Sequence, residues 1–187
     1  FAAAGTANAV GDVKTGATKA AVCAACHKSD GNSDNPLWPK TAGQHAGYLM
    51  KQLRDFQSGA RKDPTMTAMA ASLTPQDIED LAAYFSAQTR SPGNKGDSKK
   101  AAVGEQIFFS GILQKGVPAC IGCHGSEAQG NPAGDFPSLR GQHSTYLVKT
   151  LKDFRSGARI NDPALMMHDI LVKLSDKDIE AVAEFLD

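Results

Sequence analysis

Aromatic residues are scarce: one Trp, three Tyr and eight Phe make up 6% of the 187 residues, against 18 Gly. For small domains that is a thin core, and a bulky bound group would help to fill the interior. An excess of charge is missing as well, with 20 basic against 20 acidic side chains. The basic footprint of a nucleic-acid binder is therefore absent, and the protein alone predicts no strong steering field. Residues 1–90 carry nine basic and eight acidic side chains and residues 99–187 carry ten and eleven, so the counts show no strong dipole. No apolar run approaches the roughly 18 residues of a membrane-spanning helix. Residues 1–5, FAAAG, lack the basic and apolar regions of a signal peptide, and the chain reads as mature or already trimmed. No alternating strand pattern of useful length occurs. Cysteine is confined to positions 23, 26, 120 and 123, a number that by itself allows two disulfides, a zinc site or a redox pair.

What is present is an internal repeat. Gly43 to Arg61 reads GQHAGYLMKQLRDFQSGAR and Gly141 to Arg159 reads GQHSTYLVKTLKDFRSGAR, an ungapped offset of 98 residues. Cys-x-x-Cys-His precedes each block, at 23–27 and 120–124, and LTPQDIEDLAAYF (73–85) or LSDKDIEAVAEFL (174–186) follows it. A fixed period of this kind implies two copies of one fold. The expected organisation is a first domain at 1–90, a linker at 91–98 (SPGNKGDS, rich in turn formers) and a second domain at 99–187.

Both domains read as all-α. Tyr48, Leu49, Leu53 and Phe56 recur at helical spacing, as do Tyr146, Leu147, Leu151 and Phe154. Gly59 and Gly157 fall where those helices should stop. Thr74-Pro75 and Ser175 signal the start of a last helix. Its buried face is expected to be Ile78, Leu81, Ala82 and Phe85, mirrored by Ile179, Val182, Ala183 and Leu186. A first helix is expected from about Val13 into Cys23, and from about Ser98 to Phe109 in the second copy.

Cys-x-x-Cys-His is a c-type haem attachment pattern. Two thiols at that spacing reach the two vinyl groups of one porphyrin, and the adjacent imidazole becomes the proximal iron ligand. Cys23, Cys26 and His27 are thus expected to hold one covalent haem c, and Cys120, Cys123 and His124 a second. A thioredoxin-like pair would want a βαβ context, and a zinc site would leave two identically placed His without a purpose.

A carrier needs iron that stays six-coordinate in both oxidation states, which a Met opposite the His provides. Of the five Met, Met66 lies seven residues before Leu73 and Met167 seven before Leu174, and these two are the expected ligands. Counting instead from the shared Gly-Ala-Arg pairs Met69 with Met167, because the two loops differ by three residues. Met50, opposite Val148 in the repeat, reads as a packing residue. His45 and His143 match across the repeat but open the helical block, which disfavours bis-His ligation; His168 has no counterpart and reads as a surface side chain.

These residues give the chain a resemblance to the dihaem cytochromes c4 over nearly its full length. It rests on the two haem motifs, the repeated Gly-Gln-x-x-x-Tyr-Leu…Phe-x-Ser-Gly-x-Arg blocks, GVPACIGCHG (116–125) and the closing Ser/Thr-x-x-Asp-Ile helices. The resemblance implies two tandem class I cytochrome c domains related by a pseudo-twofold, with haem propionate edges facing across the interface. It also implies His–Met ligation, and carbonyls of Pro39 and Pro137 that orient His27 and His124. Arg61 and Arg159 would meet propionates. Trp38 and Phe136 would wall the pockets, and Tyr48 and Tyr146 would be core residues with a hydrogen-bonding tip.

The expected function is that of an electron carrier and not an enzyme. A Met in each half argues against the open iron position that a peroxidase or gas sensor needs. The resemblance implies a periplasmic carrier in a bacterial respiratory chain. It would accept single electrons from a quinol-oxidising cytochrome complex or another donor and pass them to a terminal oxidase. A monomer is expected, compatible with peripheral membrane association. The alternative is a dihaem subunit of a flavoprotein dehydrogenase, or a dihaem redox enzyme. The longer stretch from Gly104 to Cys120 than from Gly16 to Cys23 means that the two pockets differ.

Overall fold

The computed structural model describes residues 11–94 and 96–187. The reading of residues 1–5, and Lys95 of the expected linker, lie outside them. In the first half, α1 (Val13–Lys19) leads through a 3-10 turn into the Cys-x-x-Cys-His segment. There follow α2 (Ala46–Ser58), α3 (Pro64–Ala70) and α4 (Pro75–Ser86). The second half repeats the order with α5 (Ser98–Ser110), α6 (Ser144–Ser156), α7 (Met166–Leu171) and α8 (Asp176–Leu186).

The local chemistry explains these boundaries. Asp12 caps α1 by accepting from the Thr15 amide. Thr74 and Ser175 open α4 and α8 with complete capping boxes, closed by Asp77 and Asp178. Gly59 and Gly157 end α2 and α6 in the left-handed conformation. All eight residues expected on the inner face of the last helices are buried. In each half the first and last helices cross at a glycine. A Cβ on Gly16 would lie 2.0 Å from the Asp80 carbonyl oxygen, and one on Gly104 would lie 1.9 Å from that of Ala181.

A pseudo-twofold relates the halves, and side chains that reach backbone groups hold them together. Gln44 donates to the Ser138 carbonyl (2.9 Å) and accepts from the Ser138 amide (2.9 Å). Gln142 does the same at Lys40, at 2.9 and 2.8 Å. The ring of His45 bonds the Gln129 carbonyl at 2.9 Å and that of His143 bonds the Ser33 carbonyl at 2.7 Å. Arg61 donates to the Tyr146 hydroxyl (2.9 Å) and Arg159 to the Tyr48 hydroxyl (3.0 Å). The linker is fastened too, by Lys40 donating to the Pro92 carbonyl and by Asp187 accepting from the Asn94 amide.

The halves are not copies in one buried detail. Asp80, 2% exposed, accepts from Lys19, the Asp12 amide and Gln76, whereas Ala181 takes its place in α8. The Lys19 ammonium and these two other donors hold the Asp80 carboxyl down at about 2, from an ordinary 3.8. A carboxyl depressed by folding contributes stability that is complete above the unfolded pKa and is lost as pH falls through the folded one. The first half should therefore weaken between about pH 4 and pH 2 through a route that the second half lacks. Acid titration followed by far-UV circular dichroism checks this: Asp80→Asn should flatten the first transition, and identical acid profiles would contradict it.

Candidate functional site: two haem-attachment pockets

In each half a single helical turn, Ala24–His27 or Ile121–His124, carries the attachment motif. The His27 amide bonds the Cys23 carbonyl at 2.9 Å, and the His124 amide bonds that of Cys120 at 3.0 Å. This closes the turn and brings both cysteines and the histidine to one cavity wall. The thiols are unbridged. Burial pushes the Cys23 thiol up, and the Cys120 thiol up to about 11. A redox dithiol or a zinc thiolate site needs the opposite shift. A neutral thioether suits an apolar wall, and these sulfurs stand where thioether sulfurs would be. Among the described residues no group of three or more His, Cys, Asp or Glu is arranged to hold a metal ion.

His27 and His124 are buried. Their Nδ1 atoms lie 2.9 Å from the Pro39 carbonyl oxygen and 3.0 Å from that of Pro137. Burial pushes both imidazoles below the usual range. A neutral ring that donates Nδ1–H to a carbonyl keeps its Nε2 lone pair for iron. The Phe136 ring sits edge-on to His124 with centroids 6.0 Å apart, and Trp38 lines the wall of the first half.

A continuous cavity of about 1190 Å³ runs through both halves and is lined by both attachment motifs. Met66, Met69, Met166 and Met167 also line it, and Met50 does not. Met66 and Met167 are half-buried, whereas Met69 is 41% and Met166 37% exposed. A carboxylate fixes the segment of each half-buried one: Asp63 accepts from the Met66 amide at 2.9 Å and Asp162 from the Met167 amide at 2.7 Å. The two Asp-Pro pairs are thus equivalent. Two of the three additional residues of the second loop are absorbed at Ala164 and Leu165, both at positive φ, and the third lies between Arg159 and Asp162. His45, His143 and His168 do not line the cavity. His168 is half-buried, with its ring bonded to the Phe154 carbonyl, rather than a free surface side chain.

Arg61 and Arg159 both line the cavity at the interface of the halves. Their guanidinium groups lie over Phe56 and Phe154, at 4.6 and 4.3 Å from the ring centroids. Each binds a tyrosine of the other half, and both also donate to Gln52. Among the described residues neither meets a carboxylate within salt-bridge distance, so both remain available to an acidic group in the cavity. Donor set, apolar walls and volume together fit two haem groups.

A tandem of covalent haem domains is the class that this fold and these pockets define. The cytochrome c family profile matches residues 13–88 and again 101–187. The chain is 46% identical to cytochrome c4 of Pseudomonas aeruginosa over 183 residues, 97% of this chain and 90% of that protein. The crystal structure of reduced recombinant cytochrome c4 from Pseudomonas stutzeri matches with a TM-score of 0.91 at 46% identity, covering 94% of this chain and 97% of that one. A thiosulfate dehydrogenase electron acceptor of Thiomonas intermedia is 38% identical over 172 residues, 90% of this chain and 78% of that protein.

The chain belongs to the cytochrome c4 family. It is an electron carrier with two covalently bound haem c groups. Replacing both Cys120 and Cys123 by Ala should leave one covalent haem per chain, read from the intact mass after maturation; retention of two would contradict the assignment of the motif.

Proposed function

We propose that this protein carries single electrons in the periplasm between a quinol-oxidising complex and a terminal oxidase of a bacterial respiratory chain. Periplasmic maturation is in keeping with covalent haem attachment, and no helix among the described residues is long and apolar enough to cross a membrane. The observation that carries the reading is that each half presents one buried His and one half-buried Met to the cavity. His27 and Met66, and likewise His124 and Met167, line the same cavity from different elements. Six-coordinate iron changes oxidation state with little rearrangement and leaves no position for substrate. When bound, each haem supplies the reversible one-electron couple.

The residues of the chain then have distinct tasks. Pro39 and Pro137 hold the imidazole planes, while Asp63 and Asp162 fix the backbone amides of Met66 and Met167. Arg61 and Arg159 offer charge to the haem propionates. The cavity is lined by both halves and would hold the two redox groups near their interface, where an electron accepted by one half could leave from the other.

A second reading draws on the thiosulfate dehydrogenase electron acceptors among the relatives. In it the chain takes electrons from a periplasmic dehydrogenase, in place of the quinol-oxidising complex, and acts as its dihaem partner. Stopped-flow reduction by each candidate donor separates the two readings.

Spectra recorded through a redox titration test the ligand assignment. Met66→Ala and Met167→Ala should each abolish the thioether-to-iron absorption of one haem and lower its potential. A ten- to hundredfold weaker preference for the ferrous state corresponds to about 60–120 mV for one electron. A variant whose two haems both stay low-spin at unchanged potentials contradicts the ligand it removes.

A further inference from the structure

The two methionine segments are held differently. In the first half Met66 sits in the first turn of α3, after an Asp63 N-cap and Pro64. Among the described residues, no hydrogen bond joins residues 62–66 to the second half; the Met66 amide is bonded within its own half, to Asp63. In the second half, Asn161 directly precedes Asp162, the residue that accepts from the Met167 amide. Asn161 is gripped from across the interface. Its side-chain amide donates to Gln52 (2.9 Å) and to Asp55 (2.6 Å), and its carbonyl accepts from Lys51 at 2.6 Å. All three partners belong to α2 of the first half. Its side-chain oxygen accepts from Arg159 at 2.8 Å, which in turn donates to Gln52 and Tyr48.

Between this grip and Met167 lie Ala164 and Leu165, at φ +54° and +56°. Residues with a Cβ occupy that region at a cost and persist there only when surrounding contacts hold them. A segment so wound relaxes when one end is released. Asp55 does not line the cavity, so it reaches the second haem pocket through Asn161 and not by touching a haem.

We propose that Asn161 is a positioning residue through which helix α2 of the first half holds the methionine segment of the second haem. Ligation at the second iron then depends on the docking of the two halves through a contact next to its methionine cap that the first half lacks. The inference rests on Met167 being the ligand, as proposed above. It makes a change in the first domain visible at the haem of the second.

The test uses the mature dihaem protein. Ring currents shift the methyl resonance of each ligating Met in the ferrous state, and Met66→Ala and Met167→Ala assign the two. Asp55→Ala and Asn161→Ala should displace or broaden only the resonance that Met167→Ala removes. They should also open one of the two ferric haems to cyanide about tenfold faster or more, the size expected for losing a hydrogen bond to a charged group. Asp55→Asn removes the charge but keeps an acceptor in place, and should fall between Asp55→Ala and the wild type.

Wild-type resonances and cyanide rates in both alanine variants would overturn the inference. Equal changes at the two haems would overturn it as well, as would an Asp55→Asn variant indistinguishable from Asp55→Ala. If Met167→Ala removes neither resonance, the ligand assignment itself falls, and this inference with it.

Discussion

A cavity of about 1190 Å³ in a chain of 187 residues has to be filled for the surrounding helices to keep their places. Among the described residues, one apolar cluster of the first half joins the buried Ala20, Leu81 and Phe85, with partly buried neighbours packed against it. Those side chains form a wall rather than a core. Protein interiors are packed as densely as organic crystals, so the haem groups are structural members as well as redox groups. The Cys-x-x-Cys-His turn would hold each haem covalently, and the methionine segments line the same cavity. Close crossing at Gly16 and Gly104 then places the first and last helices of each half around the same space.

From that constraint follows a molecule that is symmetric where docking requires it and asymmetric where redox properties are set. Gln44 and Gln142 each satisfy both backbone groups of one residue in the other half, and the Arg–Tyr pairs cross in both directions. These contacts need like residues at like positions. Elsewhere the halves diverge. The second carries the turn between Ile112 and Val117 after α5, which has no counterpart among the described residues of the first, and its methionine segment is longer and strained. Irons held in such unlike surroundings would differ in potential, and a difference would give an intramolecular step a direction.

Much of this was legible from residue order. The attachment motifs, the 98-residue offset, the capping residues Thr74 and Ser175 and the buried faces of the last helices are local patterns, and local patterns follow from 3.6-residue periodicity and cap chemistry. The interface was not legible. His45 and His143 could be weighed as ligands by their repeat positions, but the other half's carbonyls that they bond are 84 and 110 residues away. Gln52 and Asn161 give no sign of their pairing, because Thr150 stands opposite Gln52 in the repeat. Repetition pointed to paired roles for Arg61 and Arg159, yet their tyrosine partners emerge only once the halves are docked. The length difference before Met167 left two alignments open by counting, and the Asp-Pro carboxylates are the feature that relates the two segments.

The central claim is that two porphyrins are bonded to the polypeptide and complete its interior. The haem-to-chain ratio of the mature protein, measured before and after extraction with acidified organic solvent, tests it most directly. The account predicts two haems per chain that stay with the protein through extraction. Colour that leaves with the solvent, or a ratio of one, would contradict it.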